Sequence, residues 1–152
     1  MEPVRLTQPV DDLARVRQRH HPRCFVSRPA ESSGLGVHFV AQPDGSVAAT
    51  IAGPSSWEGY PGLVHGGIIA SLLDGALTNA LFARGTVAVT AELSIRYRAP
   101  FPLGRTATVT GRVTRCAPRL FVGEACIASE DRIYASCTGK FMRVPGIPES
   151  RT

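Results

Sequence analysis

One short stretch of the sequence places residues suited to acyl chemistry at the start of a predicted helix. His65, Gly66 and Gly67 directly precede the apolar run that begins at Ile68. The first backbone N–H groups of a helix have no partners within it, so two glycines here leave those groups open to an anion or a polarised carbonyl oxygen. The pattern predicts an oxyanion site at the helix end. The alternative is that the glycines only permit a close approach of helix and strand.

The second candidate is Asp74, the one charged residue between His65 and Arg84. A helical wheel places its carboxylate beside Ser71 and Thr78, away from the centre of the apolar stripe. Two interpretations remain open at this point. The side chain is either a solvated carboxylate on the outer face of the helix, or the general base or nucleophile of a reaction.

Helix geometry separates these two candidates. The nine residues from His65 to Asp74 span about 13 Å along a helix axis, so one chain cannot bring both side chains to a single reacting carbon. If both take part, the site needs two chains, with the helix start of one subunit facing the middle of the other's helix. A two-fold homodimer meets this condition and yields two equal sites.

Further residues are candidates to complete such a site. Thr90, early in the next strand, carries a hydroxyl able to orient water near Asp74, and Glu92 is an alternative carboxylate. The loop 53–62 holds two aromatic residues, which either close over a pocket or pack into the core. The side chains predicted to line an acyl pocket are Trp57, Tyr60, Leu73, Leu77 and Leu81.

The charge of the chain is basic and uneven. Its 152 residues carry 17 basic and 12 acidic side chains, a formal charge of +5, and residues 91–152 hold nine Arg and one Lys against five acids. The guanidinium fork suits phosphate groups, although an Arg-rich genome would give the same bias. No basic helix, zinc-binding pattern or aromatic stacking motif accompanies the charge, which argues against a nucleic-acid partner. The candidate phosphate contacts are Arg96, Arg98, Arg115 and Arg119.

The elements that must position these residues follow from hydrophobic periodicity. A period near 3.6 predicts one long helix, and a period of two with short connections predicts antiparallel strands. A long apolar helix and a sheet of about six strands must bury each other. The predicted order is a helix over 9–19, a loop over 20–33, strands over 35–42 and 46–51, a helix from Ile68 to Arg84-Gly85, and strands over 86–99, 106–115, 120–129 and 133–142.

Taken together, these residues resemble the hotdog acyl-CoA thioesterases of the PaaI type, within the thioesterase superfamily. The core of the resemblance is the run GYPGLVHGG at residues 59–67, with Asp74 nine residues after its His. The run AVTAELSIRYRAP at residues 88–100 is similar to the family's third strand, and the turn PFPLG that continues from its last Pro is also similar. The resemblance covers the chain from about Cys24 to Met142.

This resemblance implies both a fold and an activity. The fold is the α+β hotdog fold, a curved antiparallel sheet of about six strands wrapped around one long central helix. A single domain spans 1–152, with 1–33 as an N-terminal helix and loop extension. The activity is hydrolysis of an acyl-CoA thioester to a carboxylic acid and free coenzyme A, at a site across the interface of a homodimer or a dimer of dimers. No cofactor is expected, since coenzyme A is part of the substrate.

The resemblance also implies residue roles. Asp74 acts as general base or nucleophile on the thioester, the N–H of Gly66 polarises its carbonyl, Thr90 helps to place water, and His65 positions the substrate and the helix start. The predicted substrate-binding residues are Gly67, Trp57, Tyr60, Leu73, Leu77, Arg96, Arg98 and Arg119. A non-catalytic hotdog protein that holds an acyl-CoA or acyl group is the alternative. A hydratase is disfavoured because no His here is paired with a second acid.

The sequence departs from the family pattern near the N-terminus, where Ser27 and Arg28 stand in place of a Cys-Gly pair, and at two positions around the long helix. Gly59 stands six residues before His65, where many relatives have Asn, and Gly75 stands where closer relatives have Glu. Asp74 is therefore the sole carboxylate of the long helix.

The remaining features concern cysteines and location. The four cysteines show no zinc-binding spacing and are predicted to be buried free thiols, with no metal site. No run of about 18 apolar residues is present, and the N-terminus lacks the apolar run of a signal peptide, so we expect a cytoplasmic protein with no membrane partner. These cysteines are Cys24, Cys116, Cys126 and Cys137.

Overall fold

The computed structural model describes residues 9–146, and within that range two α-helices and six strands follow one another along the chain. Two short 3-10 turns, Ala30–Ser32 and Ser55–Trp57, lie in the loops. The elements are α1 (Pro9–His20), β1 (Val40–Ala41), β2 (Val47–Ala52), α2 (Gly66–Phe82), β3 (Val89–Tyr97), β4 (Thr106–Cys116), β5 (Leu120–Ser129) and β6 (Arg132–Met142).

The strands form one antiparallel sheet in the order β1-β2-β4-β5-β6-β3. Strand β3 follows the helix in sequence but pairs with β6, so it forms one edge of the sheet. Helix α2 packs against the inner face of the curved sheet, and its residues from Leu72 to Phe82 are mostly buried. The predicted hotdog architecture of one long helix within a six-stranded sheet is confirmed.

Glycines on the inner face of the sheet let α2 approach closely. A Cβ atom on Gly111 of β4 would lie 2.8 Å from the backbone carbonyl of Ala76. On β5 and β6, Gly123 and Gly139 pair with each other, and both lie beneath the side chain of Leu77. The inner face of the sheet therefore has no side chains at Gly111, Gly123 and Gly139, and the middle of α2 packs against this glycine floor.

Replacing Gly111 with Ala is expected to destabilise the fold by about 2 kcal/mol, because overpacking against fixed backbone costs about 1–3 kcal/mol. The methyl group would meet the backbone of Ala76, which cannot rotate away. Urea unfolding followed by circular dichroism measures the change. Gly45→Ala serves as a control for steric crowding, since a Cβ atom there would meet no other atom within 4 Å, although its φ of +86° still strains an L-residue. Equal losses in both variants would contradict the close-packing argument.

The N-terminal region differs from its prediction in one element. The strand predicted over 35–42 is reduced to Val40–Ala41, although Val37, Phe39 and Ala41 are buried on one side as expected. The N–H groups of residues 35–37 instead donate to carbonyls of the loop over residues 25–28. Because those donors are used by the loop, the segment cannot extend its pairing with β2.

The boundaries around the long helix also shift by a few residues. Helix α2 begins at Gly66 and ends at Phe82, and Gly85 then adopts a φ of +70°. The N–H of Thr86 donates to the carbonyl of Leu81, closing the helix end. Residue 86 is thus part of the turn, and β3 begins only at Val89.

Across residues 9–146, every helix falls short of the length or the apolar character that crossing a membrane requires.

Candidate active site

A tight hairpin delivers the chain to the start of α2. The N–H of Leu63 donates to the carbonyl of Tyr60 at 2.9 Å, and Gly62 has a φ of +77°. Pro at the second position and Gly at the third are the residues of a type II turn. The N–H of His65 donates to the carbonyl of Trp57 at 2.7 Å. This bond anchors the residue that precedes the helix.

His65 caps α2 with its side chain. Its Nδ1 accepts the N–H of Gly67 at 2.8 Å, so the proton of the neutral ring is on Nε2. Its carbonyl accepts the N–H groups of Ile68 and Ile69. Among the described residues, none accepts a hydrogen bond from the N–H of Gly66. The cap thus satisfies the neighbouring donors and leaves this one available to a ligand.

A cavity of about 560 Å³ opens beside this helix end. Tyr60 at the hairpin tip is 83% exposed at its rim. A Cβ atom on Gly59 would lie 3.0 Å from the Cα of His65, so this glycine is packed against the cap. The lining residues are Glu58, Gly59, Tyr60, Val64, His65 and Gly66.

Asp74 and Thr90 lie together in the structure. Thr90 Oγ1 donates to Asp74 Oδ1 at 2.6 Å, and the Asp74 side chain is half-buried. The contact depends on a bulge in β3, where Thr90 pairs with Phe141 but Glu92 pairs with Lys140. The extra residue turns Thr90 toward the inner face and the helix, as bulges do when they redirect a side chain.

Glu92, the alternative carboxylate, lies on the opposite face of β3. Its carboxylate forms an ion pair with Lys140 at 3.3 Å, and both side chains are exposed. Its register places it on the outer face of the sheet, away from Asp74. The placement therefore favours Asp74 over Glu92 as the candidate catalytic carboxylate.

Tyr97 is a site residue that sequence reasoning missed. Its hydroxyl donates to the carbonyl of Gly66 at 2.8 Å, and its ring lies about 3.7 Å from the position of a Cβ on that glycine. It shares the inner face of β3 with Leu93 and Ile95. The sequence signal that could have identified Tyr97 is the alternation of side chains along β3, which places it on the same face as Leu93 and Ile95.

Strand β3 contacts both parts of the site, one at each end. Thr90 meets Asp74 and Tyr97 meets Gly66. Eight residues of helix separate Asp74 from Gly66, about 12 Å along the axis. The structure therefore brings Thr90 to Asp74 and Tyr97 to Gly66, but does not bring the two pairs together within one chain.

The predicted phosphate-binding arginines lie in two places. Arg96 and Arg98 lie on the outer face of the sheet, beside a cavity of about 720 Å³, and Arg98 Nε donates to Ser136 Oγ at 3.1 Å. Arg119 is exposed in the turn between β4 and β5. That turn adjoins the end of the sheet where β3 begins, because Leu120 pairs with Met142.

The predicted apolar lining is mostly core in the single chain. Leu73 and Leu77 are 0% and 1% exposed, and Trp57 is 5% exposed beneath the hairpin. Leu77 packs on the glycine floor described above. Of the predicted aromatic pair, only Tyr60 faces the cavity.

The cysteines are free, as predicted. The prediction that all are buried holds only for Cys137. Cys24 and Cys126 are half-buried, and Cys116 is exposed because it ends β4 at an open turn. Cys137 is buried, and this burial, together with the nearby Asp74 carboxylate, raises its pKa to about 11. Within residues 12–146, no group of three or more His, Cys, Asp or Glu side chains is arranged to hold a metal ion.

Cys24 is expected to be the most readily alkylated thiol near neutral pH. A hydrogen bond with the His21 side chain, aided by the Val26 and Ser27 backbone, lowers its pKa to about 7, and the thiolate is the reactive form. Because the folded state favours the thiolate, this contact stabilises the fold at high pH, and its contribution is lost as pH falls through about 7. Iodoacetamide labelling across pH, with sites assigned by mass spectrometry, measures the midpoint.

His21→Leu is the control for this titration. Leucine retains apolar contact near Phe82, against which the His21 ring packs edge-on, and it removes the hydrogen bond. The labelling midpoint of Cys24 should then move up toward that of an ordinary thiol. An unchanged midpoint would contradict the assigned cause.

Comparison with known proteins gives a consistent family. Residues 61–135 match the family model described as the thioesterase superfamily. The mouse acyl-coenzyme A thioesterase THEM4 is 33% identical over 116 residues, which cover 73% of this chain and 50% of that protein. The chain spans about half the length of the curated relatives it matches first.

The solved structures of similar fold include two whose descriptions bear on the site. The Escherichia coli PaaI protein from the phenylacetic acid degradation operon superposes with a TM-score of 0.74 at 22% identity, over 90% of this chain and 96% of that chain. The protein smu.793 from Streptococcus mutans UA159, solved bound to acetyl CoA, superposes with a TM-score of 0.65 at 25% identity, over 70% and 86%. These structures and the helix-in-sheet architecture show the hotdog fold, and the match of residues 61–135 shows that the chain carries a domain of the thioesterase superfamily.

Proposed function

We propose that this domain hydrolyses an acyl-CoA thioester to a carboxylic acid and free coenzyme A. The proposal rests on one observation, a carboxylate and a free backbone N–H that both lie next to β3. One is the Asp74 carboxylate held by Thr90 at 2.6 Å. The other is the Gly66 N–H, which the His65 cap leaves available at the positive end of α2.

The chemistry assigns a role to each group. Asp74 either accepts a proton from water as it attacks the thioester carbon or attacks that carbon directly. The Gly66 N–H donates to the carbonyl oxygen, which becomes negative in the tetrahedral intermediate. The C–S bond then breaks, and coenzyme A leaves as its thiolate and takes up a proton. When water is the attacking group, the acid is formed in this step. When Asp74 attacks directly, the product is a mixed anhydride with Asp74, which water must hydrolyse to release the acid and restore the carboxylate. Thr90 keeps the carboxylate oriented for this step.

A site of this kind needs a second copy of the chain, because about 12 Å of helix separates Asp74 from Gly66. The free edge of β3 suits such pairing. Most of its side chains are exposed, and its backbone pairs with β6 on one side only. In an antiparallel pairing of two β3 edges, the Thr90 end of one strand lies opposite the Tyr97 end of the other. Asp74 would then face the partner subunit's Gly66.

The coenzyme A part of the substrate would be recognised by residues other than those that bind the thioester. Its phosphates are suited to the guanidinium groups of Arg96, Arg98 and Arg119, and its pantetheine arm is long enough to link a surface phosphate site with a buried thioester. The similar fold of smu.793, solved bound to acetyl CoA, supports an acyl-CoA ligand. The acyl group would enter the cavity at Tyr60, with the buried Trp57 beneath the hairpin as its apolar support.

The test is thiol release from a panel of aromatic and straight-chain acyl-CoAs. We expect turnover of at least one, with one thiol released for each acid formed. Single turnover in ¹⁸O-labelled water tests for direct attack by Asp74. An acid that carries no label, together with label found in Asp74, requires an anhydride that water opens at the Asp74 carboxyl carbon, whereas attack by activated water places one labelled oxygen in the acid. Saturable acyl-CoA binding without any thiol release would instead show a non-catalytic acyl-CoA-binding protein.

A further inference from the structure

The peptide unit between Gly66 and Gly67 is held at both of its polar ends. Its N–H, which belongs to Gly67, donates to His65 Nδ1 at 2.8 Å. Its carbonyl, which belongs to Gly66, accepts the Tyr97 hydroxyl at 2.8 Å. One of these side chains comes from the cap of α2 and the other from the edge strand, so two separate elements fix one peptide plane.

These two hydrogen bonds, which we call the clamp, lie directly beside the available N–H of Gly66. The Gly66 N–H belongs to the preceding peptide unit, and the two units share the Gly66 Cα. Consecutive glycines have the widest backbone freedom of any residue pair, and they lie here in the first turn, where helices fray. A donor that stabilises an oxyanion must be oriented before the reaction begins. Fixing the adjacent plane removes much of the freedom that would misdirect it.

We propose that Tyr97 is a positioning residue that orients the Gly66 N–H through the Gly66 carbonyl. The inference rests on the proposed function for its effect on turnover, but the clamp itself is a property of the free protein. With this role for Tyr97, strand β3 acts on both reacting groups. The strand holds Asp74 through Thr90 and holds the helix end through Tyr97, so the edge that would pair with a second copy aligns both reacting groups.

Tyr97→Phe is the direct test, because it removes the hydroxyl and keeps the ring that packs over Gly66. We expect kcat to fall roughly tenfold, as for one lost hydrogen bond, with KM changed less than about twofold. In the free protein, the backbone amide signals of Gly66 and Gly67 should shift in ¹⁵N NMR spectra, and their hydrogen exchange should accelerate.

Tyr134→Phe is the matched control. It also removes one hydroxyl from a buried tyrosine, one whose hydrogen-bond partner is Ser129 Oγ at 3.3 Å rather than a group of the helix start. Its kcat and its Gly66 amide signal should remain as in the parent protein. This control separates loss of the clamp from a general loss of one tyrosine hydroxyl.

The outcomes are distinct. Unchanged Gly66 and Gly67 amide signals in Tyr97→Phe would overturn the clamp, whatever the activity. Shifted signals with an unchanged kcat, or with a rise in KM alone, would overturn the positioning role and leave Tyr97 as a wall of the substrate site. A parent protein that releases no thiol would refute the proposed function separately, while the amide signals would still decide whether the clamp exists.

Discussion

Replacing Asp74 by Asn is expected to lower kcat for acyl-CoA hydrolysis by roughly 10³-fold, within the range for loss of a general base. An amide cannot accept the proton of an attacking water, nor attack the thioester carbon itself. Its oxygen can still accept the Thr90 hydroxyl, which now donates to Oδ1 at 2.6 Å. The geometry should therefore persist while the chemistry is lost. Steady-state thiol release measures the effect, and a thermal melt checks the fold.

Glu92→Gln is the matched control for this substitution. Glu92 lies on the same strand as Thr90 but on the outer face, paired with Lys140. Loss of an exposed ion pair costs less than about 1 kcal/mol, so both fold and turnover should remain. Activity retained in Asp74→Asn and lost in Glu92→Gln would reverse the assignment of the two carboxylates.

Replacing Gly66 by Pro is expected to lower kcat roughly 10²–10³-fold, the usual effect of removing one oxyanion donor. Gly66 is the first residue of α2, where proline is favoured because its missing N–H had no helical partner. His65 before it has φ −59° and ψ 135°, an extended conformation that precedes proline readily. The substitution therefore removes the proposed donor and leaves the helix start intact. Thiol release and a thermal melt measure the two effects.

Gly66→Ala separates the donor from the space around it. Alanine keeps the N–H, and its methyl group would lie about 3.7 Å from the Tyr97 ring, an ordinary contact. The alanine variant should retain far more activity than the proline variant. Equal losses in the two would show that space above Gly66, rather than its N–H, matters to the reaction.

Mixing the two inactive variants tests whether the site spans two chains. If Asp74 of one chain acts with the partner subunit's Gly66, a hybrid of the Asp74→Asn and Gly66→Pro chains contains one intact site. Random pairing of equal amounts then restores about a quarter of the parent activity. Co-expression with two different affinity tags prepares such mixtures. A site built within one chain would show no recovery at all.

The elements, and the residues at the centre of the proposed site, could be singled out from the sequence because their signals are local. The apolar period of α2 and the alternation within the later strands specify which face of each element is buried. The spacing from His65 to Asp74 sets a distance along a helix, so it already predicted that a site using both residues would need two chains. Gly59 and Gly75 could be recognised as departures for the same reason, since each has a fixed position relative to a motif.

Contacts between distant elements depended on the tertiary structure. Strict alternation would put Thr90 on the outer face with Glu92, and only the bulge in β3 turns it toward Asp74. The clamp of Tyr97 on Gly66 joins residues 31 apart in the chain, and it exists because β3 crosses the sheet to become the edge beside β6.

Burial likewise depended on the whole fold. Periodicity places Leu73 and Leu77 on the apolar face of α2, but it does not distinguish a pocket wall from a core position. In the structure, Leu77 packs on Gly123 and Gly139 of the glycine floor and is therefore in the core. The hydrogen-bond state of Gly66 was equally hidden, because it depends on where the His65 ring points. The sequence by itself thus determined which groups are present and how far apart one helix holds them. Strand order and one bulge, which arise from non-local packing, decided which of those groups meet, and the orientation of the His65 ring decided which N–H at the helix start stays available.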